Sequence, residues 1–492
     1  MISPARTLIV DLPGAALTAA QAHWLRALNP GGVCLFARNI TTPEATARLV
    51  ADIRSALERD VLIATDQEGG AVLRRLDGPQ PPTPQGLGVL GDEQAAFEAG
   101  ALAARGLLEL GINWNYAPSL DVNVDPLNPV IGERSFGADP ALVARLGVAW
   151  ARGSESAGVL SAVKHYPGHG DTRVDSHLAL PVVNKTRAAL EACEWVPFRA
   201  AAQAGVGSVM TAHILYPALD PERPATLSPA LLAGVLRQAW GYDGVIVTDA
   251  MDMKAVADRY PHGQGAPLAL AAGADAVLVC GHGDQRLHDV HAAALDAALL
   301  SGTLDPARLD EAVARLDRAA ARFPGTPQPY SPAQRGQDEA ATARWALGAL
   351  ERRGEVPALD PAAPALLFAP DTGELGGPYG DHLGLGALAE ALRPALPGLH
   401  AAPVEDRAAV ENLLSRFPGA PVLLATTGRW GVPEATRALA TRLAGRPAVH
   451  LALWSPDAAA ELPLPALITH GFRRAQLQAA AQALTGRQPA PA

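Results

Sequence analysis

Short apolar runs recur through the first 280 residues of the chain, separated by polar and amphipathic stretches. Each run has about the length of a buried strand, and its nearly continuous apolar character is typical of strands covered on both faces. The eight runs occupy residues 8–12, 33–36, 61–65, 112–116, 160–165, 207–211, 245–248 and 276–280. The pattern therefore predicts buried strands that alternate with other elements.

Signals for helix starts lie between these runs. Thr18 with Gln21 resembles a capping box, in which each side chain accepts a hydrogen bond from a backbone N–H of the other residue. Thr42 before Pro43 has the order expected of an N-cap followed by a first helical residue. Further helices are predicted over residues 93–110, 139–153, 186–204 and 306–322.

Eight strands that alternate with helices favour a (β/α)8 TIM-like barrel. A doubly wound parallel sheet is the alternative. It is less well supported because no glycine-rich phosphate-binding fingerprint follows the first strand. We therefore expect an α/β fold whose first part is a closed barrel.

A change in composition marks the end of this first part. Proline, glycine and glutamine are frequent in residues 323–337, as is typical of a linker. Apolar runs at 366–369, 422–426, 449–454 and 467–470 then alternate with helical stretches, which predicts a smaller α/β layered (sandwich) domain. The predicted units are a catalytic barrel domain at 1–325, a linker and connecting helix at 326–352, the sandwich domain at 353–487 and a disordered tail at 488–492.

Polar side chains stand directly after the predicted barrel strands. Active sites of such barrels lie at the carboxyl ends of the strands, so catalytic residues are expected at these positions. They are Asp66 after the third strand, Asp121 after the fourth, Lys164 and His165 at the end of the fifth, His213 after the sixth and Asp249 after the seventh. Their recurrence predicts a functional pocket rather than isolated buried polar groups.

The segment 164–181, KHYPGHGDTRVDSHLALP, concentrates titratable residues in one glycine-containing loop. A metal site is one interpretation, but the chain has no HxH at the first strand and no HExxH on a helix. Acid/base chemistry is the other interpretation. Asp175 and His177 are two residues apart and could form a hydrogen bond that raises the basicity of the imidazole. Taken alone, Asp-Ser-His could also be an ordinary surface turn.

The segment 244–256, GVIVTDAMDMKAV, places Asp249 at a strand end. A carboxylate at the mouth of a barrel can attack an anomeric carbon. Aspartate is also a preferred helix N-cap, and both roles are compatible with the pattern. Asp252, one turn further, is expected to be a cap or a solvent-facing group.

Charge and cysteine content narrow the function classes. The net charge is −10 and the sequence has no cluster of basic residues, so nucleic acid is not an expected partner. Three scattered cysteines suggest neither a disulfide framework nor a zinc site, which favours a reducing compartment. Asp11 interrupts the first apolar run too early for a signal peptide, and no run approaches the ~20 residues of a membrane span. We expect a cytoplasmic protein without a membrane partner.

Four motifs resemble glycoside hydrolase family 3. DQEGGAVLRR, GERSF, KHYPGHGDTRVDSH and VTDAMDMKAV occur in this order and at similar spacing in that family, and the resemblance is strong over about residues 5–320. The long form of the third motif resembles the β-N-acetylhexosaminidase branch. The β-glucosidase branch usually has an asparagine-rich sequence after KH and takes a catalytic glutamate from its second domain. One departure is TDAMDM, where many relatives have SDD, although the aspartate is kept.

The resemblance implies roles for individual residues. Asp249 matches the catalytic nucleophile, and His177 matches the acid/base with Asp175 as its partner. The sugar-binding positions are matched by Asp66, Arg74, Arg134, Lys164 and His165. Arg74 could instead form a structural ion pair with Asp66, while His213 is expected to shape the pocket or to be a satisfied core histidine and Asp121 to bind backbone groups. No cofactor and no metal is implied.

The expected function is that of a retaining, exo-acting β-N-acetylglucosaminidase. It would act as a monomer on N-acetylglucosamine-containing glycans, in particular cell-wall fragments (muropeptides). Alternatives within the family are a β-glucosidase, a β-xylosidase or an N-acetylglucosamine phosphorylase. Alternatives of another class are a metal-dependent barrel hydrolase and a non-catalytic carbohydrate-binding protein.

Overall fold

The computed structural model describes residues 2–371, 383–429 and 431–486, and the disordered tail predicted at 488–492 lies outside these residues. The chain divides into two compact units. The first consists of Met1–Glu68, Leu73–Pro79 and Gly91–Arg335, and the second of Gly69–Val72, Gln80–Leu90 and Gly336–Ala492.

The described residues of the first unit contain eight parallel strands in one sheet. They are β1 (Leu8–Asp11), β2 (Gly32–Cys34), β3 (Leu62–Thr65), β4 (Trp114–Asn115), β5 (Leu160–Tyr166), β6 (Ser208–Thr211), β7 (Val245–Val247) and β8 (Val277–Leu278). Neighbours in sequence are neighbours in the sheet, and β1 also pairs with β8 in the register Ile9 to Leu278. A parallel bridge from Val247 to Ala276 joins the two remaining edges. The predicted barrel is confirmed, and each predicted run overlaps one strand.

The interior of the barrel is filled by side chains from all eight strands. They include Ile9, Leu62, Trp114, Leu160 and Val247, which belong to one buried cluster. The indole N–H of Trp114 donates a hydrogen bond of 2.8 Å to Ser208 Oγ, so its polar edge is satisfied inside the cluster. Because the interior is packed, space for a ligand exists only at the two ends of the barrel.

Helices and turns connect the strands of the first unit. The helices are Ala19–Leu28, Pro43–Leu57, Glu93–Glu109, Pro140–Ser156, Arg187–Ala192, Trp195–Gln203, Lys254–Ala257, Gly265–Ala272, Gln285–Leu300 and Pro306–Arg322, with a π-helix at Ala230–Ala239 and 3₁₀ turns at Pro4–Thr7, Gly132–Arg134 and Ala225–Leu227. The capping box of Thr18 and Gln21 and the N-cap role of Thr42 are confirmed. The single helix predicted at 186–204 is two helices, because Cys193 leaves the helical conformation.

The second unit is a layered α/β structure, as predicted. Its described residues form a six-stranded sheet in the order β11-β10-β12-β13-β14-β9, parallel except for β9. The strands are β9 (Glu351–Arg353), β10 (Ala365–Ala369), β11 (Leu399–Pro403), β12 (Val422–Thr426), β13 (Ala448–Ala452) and β14 (Ala466–Ile468). Helices Pro84–Leu90, Pro332–Gly348, Leu385–Leu392, Arg407–Arg416, Glu434–Arg442, Ala458–Glu461 and Arg474–Thr485 accompany it. Leu367 packs in one buried cluster and its neighbours Leu366 and Phe368 in another, so both faces are covered.

The observed division of the chain differs from the expected boundaries at two places. Residues 69–72 and 80–90, which lie within the range 1–325, belong to the second unit, where Thr83 Oγ1 donates to the carbonyl of His470 at 2.5 Å. The segment 326–352, expected to be a linker and connecting helix, is divided between the units, and its helix buries Trp345 and Ala346. Within the described ranges, no helix is both long and apolar enough to cross a bilayer.

Candidate active site

The segment after the carboxyl end of β3 carries two carboxylates that meet cations from β5, from the turn Gly132–Arg134 and from the same segment. Lys164, on β5, lies 2.7 Å from Asp66 and 2.6 Å from Glu68. Arg134 makes a bidentate pair with Glu68, with both N–O distances at 2.8 Å, and Arg74 lies 3.7 Å from Asp66. The structure therefore brings together four of the predicted sugar-binding residues, Asp66, Arg74, Arg134 and Lys164. Their binding role stays a prediction.

Glu68 is the residue of this cluster that sequence reasoning missed. Its side chain is fully buried. Burial by itself raises its pKa, but Arg134 and Lys164 outweigh burial and hold the pKa of Glu68 well below its usual range. Its position in DQEGG, three residues after β3, satisfies the same strand-end rule that identified Asp66. The carboxylate thus orients two cations instead of facing a ligand.

Asp66 is the carboxylate of the pair that remains accessible. Its side chain is 17 % exposed, whereas that of Glu68 is 0 % exposed. An ionised carboxylate held beside Lys164 and Arg74 can accept hydrogen bonds from sugar hydroxyls, while the cations donate to hydroxyl or carbonyl oxygens. The ion pair of Arg74 with Asp66 exists, as the structural alternative expected, at an N–O distance of 3.7 Å.

Asp121 is a structural carboxylate, as expected. It is fully buried and accepts hydrogen bonds from the backbone N–H groups of His165 (3.2 Å) and His169 (2.6 Å) and from Ser119 Oγ (2.9 Å). His165 Nδ1 lies 2.6 Å from Asp121 and its Nε2 lies 3.3 Å from Arg134. Burial raises the pKa of Asp121, but the two histidines lower it to about 2. The predicted binding residue His165 is thereby fixed beside the cationic cluster.

His169 anchors the loop that carries the predicted acid/base pair. Its Nδ1 lies 2.7 Å from Thr172 Oγ1 and its Nε2 lies 3.1 Å from Ser176 Oγ. Burial, together with the neighbouring His165, lowers the pKa of His169 to about 4. The neutral imidazole of His169 thus fixes Ser176, which lies between Asp175 and His177 in the sequence.

Asp175 and His177 are in direct contact. His177 Nδ1 lies 2.8 Å from Asp175 Oδ1, which also accepts the backbone N–H of His177 at 2.8 Å. Burial alone lowers the pKa of His177, but the hydrogen bond to Asp175 and the charge of Asp249 outweigh burial and raise it. The His177 side chain is 39 % exposed. Because Nδ1 is held by Asp175, Nε2 is the nitrogen that can exchange a proton with a ligand.

Asp249 follows β7 and is positioned through its neighbours. Its Oδ1 accepts the backbone N–H of Ala250 at 2.8 Å, and the carbonyl of Ala250 lies 2.9 Å from His213 Nε2. The other nitrogen of His213 lies 2.8 Å from Thr226 Oγ1, so this buried histidine is a satisfied, pocket-shaping residue, as expected. Burial raises the pKa of Asp249, but the surrounding histidines outweigh burial and lower it, which favours the carboxylate.

The alternative roles of the two aspartates as helix caps are wrong. The next helix begins at Lys254 and its N-cap is Met253, not Asp249 or Asp252. Asp252 was also expected to face solvent, but its Oδ1 accepts the backbone N–H of Cys280 at 2.8 Å. The physical reason is that the chain leaving β8 runs beside the segment after β7, and the backbone N–H of Cys280 needs an acceptor there.

The predicted nucleophile and acid/base are close enough to influence each other. The charge of Asp249 raises the pKa of His177, and His177 lowers the pKa of Asp249. The separate loops after β5 and β7 therefore bring an anionic carboxylate and a protonatable imidazole to the same end of the barrel. Among the described residues, no group of three or more His, Cys, Asp or Glu side chains is arranged to hold a metal ion.

Comparison with known proteins identifies the family. The sequence model described as "Glycosyl hydrolase family 3 N terminal domain" matches residues 7–319. The chain belongs to glycoside hydrolase family 3. This membership confirms the resemblance found in the four motifs and makes the protein a glycoside hydrolase.

Relatives in family 3 match either the barrel part or the whole chain. A protein of Chromobacterium violaceum named "Beta-hexosaminidase" is 42 % identical over 284 residues, which are 56 % of this chain and 79 % of that protein. A solved family 3 β-N-acetylglucosaminidase from Paenibacillus sp. is 32 % identical with a TM-score of 0.87, covering 99 % of this chain and 98 % of the other. NagZ from Neisseria gonorrhoeae, solved with N-trifluoroacetyl-D-glucosamine, is 32 % identical with a TM-score of 0.53, covering 64 % and 98 %.

Replacing Glu68 should lower the stability of the protein more than replacing a carboxylate of an exposed ion pair. In Glu68→Gln, two buried cations lose a shared negative charge, so we expect the free energy of unfolding to fall by roughly 3–5 kcal/mol. The matched control is Glu93→Gln, whose exposed partner Arg145 lies 2.9 Å away, and whose loss should cost at most about 1 kcal/mol. Urea denaturation followed by tryptophan fluorescence measures both. Equal, small losses in the two variants would contradict the assigned role of Glu68.

Proposed function

We propose that the protein is a retaining, exo-acting β-N-acetylglucosaminidase that releases terminal β-linked N-acetylglucosamine through a covalent glycosyl-aspartate. The observation that carries the proposal is that the loops after β5 and β7 place the hydrogen-bonded Asp175–His177 pair and Asp249 at the same end of the barrel, where each of Asp249 and His177 shifts the pKa of the other. One group is kept ionised and the other protonatable, as a double displacement requires. Asp249 is the nucleophile, and His177 with Asp175 is the acid/base.

The proposed sugar is supported by the relatives and by the polar groups of the site. The Chromobacterium and Paenibacillus relatives are named for hexosaminidase and N-acetylglucosaminidase activity, and the Neisseria protein was solved with an N-acylated glucosamine. In this chain Asp66 accepts hydrogen bonds from hydroxyl groups, and Arg134 and Lys164 donate to hydroxyl groups or to the acetamido carbonyl. Glu68 holds both donors in place before the sugar binds.

In the first step, Asp249 attacks the anomeric carbon while His177 Nε2 protonates the departing oxygen. The lowered pKa of Asp249 keeps the nucleophile ionised, and the raised pKa of His177 keeps the acid charged closer to neutral pH than an ordinary histidine. The bond from the anomeric carbon to the leaving oxygen breaks as the bond to the carboxylate forms. The product of this step is a glycosyl ester of Asp249.

In the second step, His177 acts as a base. His177 is neutral after protonating the leaving oxygen, and because the esterified Asp249 no longer raises its pKa, the imidazole stays neutral and available as a base. His177 then takes a proton from water, which attacks the anomeric carbon from the face that the leaving group vacated, and the bond from that carbon to the Asp249 carboxylate breaks. Two inversions give net retention of configuration. A neutral imidazole would also not repel an anionic acceptor such as phosphate.

The natural substrates that we propose are cell-wall fragments (muropeptides) in the cytoplasm, hydrolysed by a monomer. Cys34, Cys193 and Cys280 carry free thiols, which is typical of a reducing compartment. The relationship to the β-hexosaminidases supports the glycan class. The second unit has no role in this proposal, because every residue assigned to the chemistry lies in the first unit.

Sugar specificity is the most direct test of the proposed function. We expect kcat/KM for 4-nitrophenyl β-N-acetylglucosaminide to exceed that for the matching β-glucoside and β-xyloside by about 10²-fold or more, because a site that binds the acetamido group leaves polar groups unpaired with sugars that lack it. Initial rates with the three substrates measure this. A preference for the glucoside or the xyloside contradicts the proposal. Formation of N-acetylglucosamine 1-phosphate in phosphate buffer would show that the enzyme is a phosphorylase and not a hydrolase.

Removal of the nucleophile should abolish turnover without unfolding the protein. We expect Asp249→Ala to lower kcat by roughly 10⁴-fold or more, because the covalent intermediate cannot form. Added azide should then yield the α-glycosyl azide, since a small anion can attack from the side on which the Asp249 carboxylate stood. Asp258→Asn, which changes an exposed carboxylate on the same segment, is the control and should keep its activity. Full activity of Asp249→Ala would show that the nucleophile is another residue.

The acid/base pair should reveal itself in leaving-group and pH dependence. We expect His177→Ala to lower kcat/KM by about 10²–10⁴-fold for leaving groups that need protonation, and much less for a 2,4-dinitrophenyl leaving group. Asp175→Asn removes the partner that raises the pKa of His177. The protonated acid is then lost at lower pH, so the alkaline limb of kcat/KM should move to lower pH.

Profiles of kcat/KM against pH for wild type and Asp175→Asn, with both classes of leaving group, complete this test. Equal losses for both leaving groups in His177→Ala would argue against an acid role. An alkaline limb that does not move in Asp175→Asn would argue against the pair.

A further inference from the structure

A buried ion pair lies beside residues 168–178, the acid/base loop. The side chain of Glu194 is 1 % exposed, and its Oε1 accepts a hydrogen bond from Lys185 Nζ. Its Oε2 has no hydrogen-bond partner among the described residues, and Lys185 is the only cation that they place within ion-pair distance of Glu194. Because a buried carboxylate needs a compensating charge, Glu194 fixes the position of the Lys185 ammonium group.

The same ammonium group also contacts the acid/base loop. Lys185 Nζ lies 2.8 Å from Asp171 Oδ2, and in the described part of the chain Asp171 has no other ion-pair partner. The side chains of Lys185 and Asp171 are 24 % and 32 % exposed, so their contact is partly shielded from solvent. Burial lowers the pKa of Lys185, but the two carboxylates outweigh burial and raise it, which keeps the bridging group charged.

Glu194 also supports the start of the acid/base loop by direct packing. At Gly168 the φ angle is +135°, and a Cβ atom at this position would lie 2.7 Å from Glu194 Cβ, so the backbone of the loop packs closely against the glutamate stem. The hydroxyl group of Tyr216 donates a hydrogen bond to the carbonyl of Gly168. The loop therefore begins at a fixed point, and Asp171 is the next residue along it that forms an ion pair.

Hydrogen bonds connect the two neighbours of Asp171 region to the acid/base residue. His169 Nδ1 lies 2.7 Å from Thr172 Oγ1, and His169 Nε2 lies 3.1 Å from Ser176 Oγ. Asp171 lies between His169 and Thr172 in the sequence, and Ser176 directly precedes His177. A displacement of Asp171 would therefore displace the residues that hold Ser176, and with them His177.

A second ion pair limits how far the acid/base loop can move. Arg173 Nε lies 2.7 Å from Asp125 Oδ2, in the segment that follows β4. The Arg173 side chain is 75 % exposed, so solvent screens this pair more strongly than it screens the contacts of Lys185. Loss of the contact between Lys185 and Asp171 should therefore loosen the loop without releasing it, and should slow catalysis without abolishing it.

We propose that Lys185 is a positioning residue for proton transfer, a role that rests on the acid/base function proposed above for His177. Anchored by Glu194, its ammonium group holds Asp171 and thereby keeps His177 Nε2 within reach of the leaving oxygen. In the described part of the chain, none of the residues assigned to sugar binding is paired with Lys185. Loss of the contact should therefore lower kcat with little change in KM for leaving groups that need protonation.

Leaving-group dependence in two variants tests this role. Asp171→Ala removes the loop contact and leaves the buried pair of Lys185 with Glu194 intact, so its thermal unfolding should match wild type. We expect kcat/KM to fall by about tenfold or more for 4-methoxyphenyl β-N-acetylglucosaminide, and by less than about threefold for the 2,4-dinitrophenyl glycoside, which needs little protonation. Lys185→Met should show the same pattern. Asp171→Ala decides alone if Lys185→Met does not fold.

Matched controls come from the adjacent helix Arg187–Ala192. Glu191→Ala and Arg187→Met break an ion pair of 2.8 Å between two exposed side chains and leave the acid/base loop untouched. Both controls should keep wild-type values of kcat/KM with both leaving groups, because exposed pairs of this kind contribute little.

A double variant separates one shared contact from two independent roles. If both side chains act through their contact, Asp171→Ala/Lys185→Met is no slower than the slower single variant, whereas independent effects multiply. Multiplied losses, equal losses for both leaving groups, or rates that match the controls overturn the positioning role. His177→Ala distinguishes this failure from that of the proposed function. Leaving-group dependence in His177→Ala but not in Asp171→Ala overturns the positioning role alone, and its absence from both variants overturns the acid role as well.

Discussion

Three charged groups lie in a part of the barrel from which water is largely excluded: those of Glu68, Arg134 and Lys164. Each cation is tolerated there because the Glu68 carboxylate compensates it, and the carboxylate is tolerated because two cations surround it. The cluster joins the segment after β3 to β5 and to the turn Gly132–Arg134. Side chains held in this way lose little further conformational freedom when a sugar binds, so the polar groups around Asp66 are arranged in advance.

The histidines of the site show how environment separates residues of one type. His177 contacts a carboxylate and has a raised pKa, whereas His169 bridges two hydroxyl groups and His213 lies between a hydroxyl and a carbonyl, and both have lowered pKa values. Only the first is suited to exchange protons near neutral pH. The neutral histidines instead hold the loops that carry Asp175, His177 and Asp249, so positioning and proton transfer are assigned to different imidazoles.

The parallel barrel gives the first unit two chemically different ends. The packed interior separates them, and each end gathers residues that are distant in sequence. At the carboxyl ends of the strands, paired charges surround an accessible carboxylate and a protonatable imidazole. At the amino ends, one buried carboxylate, Asp275, organises several arginines, and the arginines furthest from it face a cavity.

The apolar pattern located all eight barrel strands, because a strand buried on both faces must be apolar at nearly every position. It missed β9 and β11, since β9 is an exposed strand of three charged residues at the sheet edge and β11 mixes small and polar residues. By itself, the sequence determined the barrel, the capped helices and the ionisable groups at the strand ends, because these depend on local periodicity and position. Only the tertiary structure decided which groups meet: Glu68 with Arg134 and Lys164, Asp252 with the backbone of residue 280, and Asp275 with three arginines. Such partners are far apart in the chain, and closure of the barrel is what brings them within hydrogen-bonding distance.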